Sequence, residues 1–133
     1  MPDQPLKSRT FQKTSLFVSL SEHEREAIAA LAVEKRYAAG ETLFYEGARC
    51  EGLYLIGEGS VKIVKTASSG REIMLAVESA PSSVAEVPLF DGGPYPATVL
   101  AVSDVVAYLV GQEEFRRFCR EHPEVPLKVL AEL

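Results

Sequence analysis

Short β-rich runs separated by glycine-containing turns are the feature that most constrains the fold of this chain. The runs lie between about residues 33 and 110 and follow one another at the spacing of a β-sandwich or barrel. Within 60–65, apolar residues alternate with polar or charged ones, as in a strand with one buried and one solvated face. The sequence therefore predicts half-buried antiparallel strands at 42–45, 53–56, 60–65, 73–77, 97–102 and 105–110.

Helical patterns flank this β-rich zone on both sides. Ser21 and Glu24 have the spacing of a capping box, in which a hydroxyl and a carboxylate satisfy free backbone amides, so we expect a helix from about Glu22. After the last strand, residues 112–120 place apolar side chains at helical spacing until Pro123 interrupts the pattern. We expect this second helix to pack on the strands.

A third apolar-rich segment begins after Pro126 and runs to the last residue. Its apolar side chains are Leu127, Val129, Leu130 and Leu133, at a spacing that indicates a helix. Nothing later in the sequence could cover them, so we expect an unfinished helix whose remainder lies outside this chain.

Composition favours one folded domain and disfavours DNA and a membrane as partners of this chain. The chain has 133 residues, of which 47% are hydrophobic, and one core commonly forms at about 100 to 150 residues. Its formal net charge of -5 repels DNA, so these residues alone should not bind it. No run approaches the roughly 20 apolar residues of a membrane span, and the start is polar. We expect a cytoplasmic location and no membrane partner.

The residues typical of metal sites and enzymes are sparse. Cys50 and Cys119 are too far apart for a zinc or iron–sulfur motif, so we expect no metal site. A cupin-type metalloenzyme or a serine nucleophile would require a histidine, and the β-rich zone contains none. We therefore expect no enzyme activity, with a cupin-like enzyme as a weaker alternative. Haem is not excluded, with Pro2, His23 and His122 as conceivable ligands.

Several motifs follow one another in a recognisable order. They are GETLFYEG at 40–47, EGLYLI at 51–56, GSVKI at 59–63, SGRE at 69–72, and AE at 85–86 leading into LFDGG at 89–93. In this order and spacing, residues 16–133 resemble the cyclic-nucleotide-binding domain of the catabolite-activator/FNR (Crp/Fnr) family of bacterial transcription regulators. The glycines of that family permit tight turns in its β-roll.

The resemblance implies a mainly β fold with flanking helices, namely a double-stranded β-helix or jelly-roll β-roll with a short helix inside it. It divides the chain into an N-terminal tail at 1–15, an effector domain at 16–124 and the start of a truncated dimerisation helix at 125–133. It also implies that the full-length protein is a homodimer. DNA would be contacted only through a helix-turn-helix domain absent from this chain, and a small-molecule effector would be the other partner.

The resemblance also locates a ligand site and shows a departure from the family pattern. In members that bind cyclic AMP, a Gly-Glu pair takes the ribose, and an Arg followed by Ser or Thr holds the phosphate. Here Ala85-Glu86 and Tyr95-Pro96 stand at those positions, so the cation is lost. This loss should weaken phosphate binding by roughly a hundredfold or more. The expected ligand-binding residues are Val84, Ala85, Glu86, Val87, Tyr95, Pro96 and Ala97.

Several interpretations remain open at this point. Glu86 is either a ligand acceptor or simply an acid at a helix start, where the helix dipole favours it. In one interpretation the site holds an aromatic or weakly charged effector, and in the other Tyr95 fills it. A cyclic AMP-like nucleotide is a less favoured ligand. The predicted function is an effector-sensing domain of a Crp/Fnr-type regulator. The same roll could instead serve a kinase, channel or transporter.

Overall fold

Two four-stranded antiparallel sheets form the body of the computed structural model, which describes residues 5–133. The strands are β1 (Val33–Tyr37), β2 (Thr42–Phe44), β3 (Gly52–Glu58), β4 (Ser60–Thr66), β5 (Glu72–Ser79), β6 (Ser82–Val84), β7 (Thr98–Ala101) and β8 (Val105–Gly111). One sheet has the order β1-β8-β3-β6 and the other β2-β7-β4-β5. The mainly β fold with jelly-roll architecture is thus confirmed.

Within the described residues, five α-helices and one 3-10 helix flank or interrupt the strands. They are α1 (Leu6–Lys13), the 3-10 helix η1 (Ser15–Phe17), α2 (Glu22–Ala29), α3 (Glu86–Asp91), α4 (Gln112–Glu121) and α5 (Val125–Leu130). Helix α2 begins where the capping box predicted it. The Ser21 side chain accepts from the N–H of Glu24, and the Glu24 carboxylate accepts from the N–H of Ser21.

The six predicted strands are all present, and two further strands were not predicted. Strand β1 reads VEKRY and is mostly exposed, because it lies at a sheet edge and pairs only with β8. Strand β6 has three residues, two of them serines, and pairs with β3. Neither segment has the apolar alternation from which strands are recognised in a sequence.

The alternating side chains of β3 divide the interior into two cores. Leu53 and Leu55 belong to a helical core, where the β1-β8-β3-β6 sheet packs against the helices. Tyr54 and Ile56 point the opposite way, into a roll core enclosed between the two sheets. A strand buried on both faces reads as a continuous apolar run, as LYLI does here.

Gly59 is required where β3 turns into β4. Its backbone has φ +86°, in the left-handed region that favours glycine. A Cβ atom at this position would also collide with the carbonyl oxygen of Asp104. The glycine therefore permits both the turn and its close approach to the loop before β8.

The N-terminal segment 1–15, expected to be a tail, is partly helical. Residues 1–4 lie outside the described part, but α1 packs Phe11 into the helical core, where its ring stacks on Phe17 at 5.7 Å between centroids. This helix was not predicted, because Pro5 at its N-cap makes no side-chain capping bond and most of its residues are polar. Burial of Phe11 holds the helix in place.

Helix α5 has two unlike faces. Val125 and Val129 are fully buried in the helical core. Leu127 and Leu130, together with Leu133 beyond the helix end, keep 73%, 44% and 55% of their surface exposed, as the sequence pattern predicted. The expectation was wrong for Val129, because α5 turns this side chain toward the helical core. A salt bridge of 2.8 Å from Lys128 Nζ to Glu24 Oε1 ties this helix to α2.

This salt bridge predicts a pH-dependent contribution to stability. The pKa of Glu24 is lowered, first by the hydrogen bond from Lys128 and then by the backbone N–H of Ser21. A carboxyl with a lowered pKa stabilises the fold above its unfolded value and loses that contribution as the pH falls through the folded value. Glu24→Gln should therefore reduce the free energy of unfolding at neutral pH by up to about 1 kcal/mol, and by progressively less in acid. Urea unfolding at a series of pH values measures this difference.

Glu22→Gln is the matched control, because Glu22 lies in the same first turn of α2 but does not bond Lys128. Its effect should vary less with pH. A loss for Glu24→Gln that is as large in acid as at neutral pH would contradict the prediction.

Candidate functional site

A cavity of about 160 Å³ opens at one end of the roll core, and we call it the roll cavity. Its lining comes from four strands, from α3 and from the segments beside them. The residues are Phe44, Ile63, Val84, Ala85, Glu86, Val87, Pro88, Pro96, Ala97 and Val99. Buried Val84, Ala97 and Val99 form its inner wall, whereas exposed Val87 and Pro96 lie at its mouth.

The turn from β6 into α3 places Glu86 at this cavity. Ala85, the N-cap of α3, has φ 71° and ψ 38°, and is the one non-glycine residue between 5 and 133 with positive φ. A left-handed backbone costs an L-residue roughly 1–2 kcal/mol, which explains why the family pattern has glycine here. The turn reverses the chain, so that α3 begins beside the inner wall.

Glu86 is the single ionisable residue in the cavity lining. It is half-buried, and its Oε1 accepts a 2.7 Å hydrogen bond from the Ser83 hydroxyl. The salt bridges formed within residues 5–133 engage other carboxylates, those of Glu24, Glu34 and Glu72. Glu86 thus lines the cavity, and no cation of the described chain forms a salt bridge with its carboxylate.

Two prolines reduce the number of backbone N–H donors that the cavity presents to an anion. Pro88 is the third residue of α3 and has no N–H, so the first turn of this short helix presents fewer free donors than usual. Pro96 lines the mouth and also lacks an N–H. With no lysine or arginine in the lining, the cavity has no counter-charge for a phosphate.

Tyr95, expected among the ligand-binding residues, is part of the core and not of the cavity lining. It is 2% exposed, and its ring stacks on Phe44 at 3.9 Å between centroids. Its hydroxyl accepts from the N–H groups of Glu51 at 2.9 Å and Gly52 at 3.3 Å, and donates to the carbonyl of Gly52 at 3.2 Å. Burial raises the pKa of this phenol to about 12. Tyr95 therefore holds the start of β3 from behind the cavity wall.

The structure brings the other expected residues together and adds some that were not predicted. Val84, Ala85, Glu86, Val87, Pro96 and Ala97 all line the roll cavity. Pro88, which the sequence places near Tyr95 and Pro96, also lines it, and the residues that sequence reasoning missed are Phe44, Ile63 and Val99. Ile63 and Val99 are register partners on β4 and β7, so the pairing of those predicted strands was the available signal.

The histidines considered as haem ligands lie elsewhere. The rings of His23 and His122 are 6.5 Å apart on the helical side of the domain, and neither lines the roll cavity. Pro2 lies outside the described residues. Within residues 5–133 no group of three or more histidine, cysteine or acidic side chains is arranged to hold a metal ion. In the same range, no helix has the length and apolar character needed to cross a membrane.

The two sheets, the helix inserted between β6 and β7 and the cavity beside it define a β-roll ligand-binding domain. Residues 34–122 match the family model described as the cyclic nucleotide-binding domain. The chain belongs to this family, as its motifs indicated.

Three similar proteins place the chain within that family. A CRP-like cAMP-activated global transcriptional regulator of Mycobacterium tuberculosis is 32% identical over 81% of this chain and 51% of its own length. A cAMP-dependent protein kinase regulatory subunit of Blastocladiella emersonii is 26% identical over 80% of this chain and 27% of its own. The N-terminal domain of a Streptomyces coelicolor transcriptional regulator superposes with a TM-score of 0.82 and 33% identity, covering 92% and 86% of the two chains. The chain spans about half the length of the first of these relatives.

The role of Tyr95 is tested by removing its hydroxyl. Tyr95→Phe keeps the stacked ring but leaves the buried N–H of Gly52 without this acceptor, so the free energy of unfolding should fall by about 1–3 kcal/mol. Urea unfolding measures the loss. Tyr45→Phe is the matched control, since Tyr45 is 64% exposed and should change stability little. Equal effects of the two substitutions would refute the assigned role.

Proposed function

We propose that this chain is the effector-sensing domain of a Crp/Fnr-type transcription regulator and that the roll cavity is its effector site. The observation that carries the proposal is the position of the cavity, beside the start of α3 in a chain similar to transcription regulators. The lining contains one carboxylate and no paired nucleophile and base, which favours a regulatory over a catalytic role.

Direct contacts link the cavity to α4, and α4 shares the helical core with the C-terminal helix. Pro88 lines the cavity, and its carbonyl accepts a 3.2 Å hydrogen bond from the Gln112 side chain at the start of α4. Phe90 on α3 packs edge-on against Phe115 on α4, with centroids 5.6 Å apart. Helix α5 follows α4 closely in the chain. An effector that shifts α3 would therefore change how α4 and α5 pack.

Exposed leucines on α5 and just beyond its end would transmit this shift to a partner subunit. Leu127, Leu130 and Leu133 form an apolar face that a second copy would cover in the full-length protein. A change in the angle of α5 would then alter the homodimer and the placement of a DNA-binding domain outside this chain. With a formal charge of -5, the present chain leaves DNA contact to that domain. The regulator would act in the cytoplasm.

A regulatory module of a protein kinase is the second candidate. The kinase regulatory subunit of Blastocladiella emersonii matches 80% of this chain, though at lower identity than the mycobacterial regulator. The sequence that adjoins this domain in its full-length protein separates the two candidates. A helix-turn-helix pattern after α5 supports the transcription regulator, and a kinase-inhibitory segment or second roll supports the alternative.

The coupling is tested by hydrogen exchange with and without saturating 2-phenylethanol, a neutral one-ring probe of the cavity. Binding should slow exchange in α3 and also change it in α4 and α5, because α3 contacts α4, and α4 and α5 bury residues in the same helical core. Ile63→Phe, which fills part of the half-buried cavity wall, should abolish both changes. An effect confined to the cavity wall would contradict sensing through α4.

The missing counter-charge is tested with cyclic nucleotides. Calorimetric titration of the domain with cyclic AMP and cyclic GMP should give no binding in the micromolar range. Pro96→Arg places a guanidinium at the cavity mouth without disturbing Tyr95 and should raise nucleotide affinity by about tenfold or more. Pro94→Arg is the control, since Pro94 lines a different cleft. Micromolar binding by the unmodified domain would overturn this interpretation of the site.

A further inference from the structure

The roll cavity carries one negative charge in its lining. One of its ten lining residues is ionisable, and that residue is acidic. The other nine are apolar, so they neither neutralise Glu86 nor offer it a hydrogen bond from a side chain. In such low-polarity surroundings a carboxylate attracts a cation and repels an anion more strongly than it would in water.

The Glu86 carboxylate accepts a hydrogen bond at one of its two oxygens. The Ser83 hydroxyl donates to Oε1 at 2.7 Å, and no other described side chain donates a hydrogen bond to this carboxylate. One oxygen is thereby positioned by the protein while the second, Oε2, keeps its acceptor capacity for a ligand. An ammonium group, with three donors and a full positive charge, is the complementary partner.

The size of the cavity limits the apolar part of the ligand. Its volume of about 160 Å³ is close to that of an engineered protein cavity of about 150 Å³ that holds one benzene ring. The ring of Phe44 and the side chains of Val84 and Val99 form an apolar wall of matching size. A ligand with one ring, or an aliphatic body of similar volume, fits this space.

We infer that the effector is a small amphipathic amine, whose apolar body fills the roll cavity and whose ammonium group pairs with Glu86. This inference rests on the proposed function, because it assigns the ligand class of the same site. An anionic ligand is disfavoured on two counts: the lining has no cation, and both Pro88 and Pro96 lack a backbone donor.

The test uses three ligands of nearly equal shape and different charge, namely 2-phenylethylamine, 2-phenylethanol and phenylacetate. Calorimetric titration should give the order amine, alcohol, acid, with the amine binding about tenfold or more tightly than the alcohol. Glu86→Gln should reduce amine affinity to that of the alcohol and leave alcohol affinity unchanged, because glutamine keeps an acceptor for Ser83 but carries no charge. A thermal melt of the variant verifies that it folds.

Asp91→Asn is the matched control, since Asp91 lies at the other end of α3 and outside the cavity lining. It should leave the preference for the amine intact, and a preference lost equally in both variants would overturn the pairing with Glu86. Equal affinity for amine and alcohol in the unmodified domain would overturn the ligand class while leaving the roll cavity as an effector site. Binding by none of the three would overturn the cavity as a ligand site, and with it the proposed function.

Discussion

The burial of β3 on both of its faces is the constraint on which the rest of the structure depends. Its alternating side chains contribute Leu53 and Leu55 to one core and Tyr54 and Ile56 to the other, so neither core forms without this strand. Because it lies inside its sheet, β3 also pairs on both edges, with β8 and with β6. Strand β6 leads directly into α3, so the position of the cavity follows from the position of β3.

Much of this fold could be predicted because the relevant signals are local in the sequence. Apolar alternation and glycine turns indicated six strands, and the pair Ser21 and Glu24 located the start of α2. Helix α1 and strand β1 could not be predicted in the same way. Their sequences are mostly polar, and what holds them is tertiary: Phe11 enters a core built by distant segments, and β1 pairs with β8 from the far end of the chain.

The candidate site was predictable where a motif fixes the backbone, and less so where side-chain direction matters. The pattern around Ala85-Glu86 located the turn into α3 correctly. For Tyr95, sequence order gave the position along the loop but could not indicate that its hydroxyl turns toward the start of β3. The contributions of Ile63 and Val99 needed the register between β4 and β7, which only the folded sheet supplies.

The left-handed turn at Ala85 links the stability of the domain to the size of its binding site. The methyl group of this residue lines the cavity while its backbone occupies a conformation that glycine adopts more easily. Removing that methyl group would relax the turn and enlarge the cavity at the same time. At this position, a tighter fit to a small ligand and an unstrained backbone are therefore opposed.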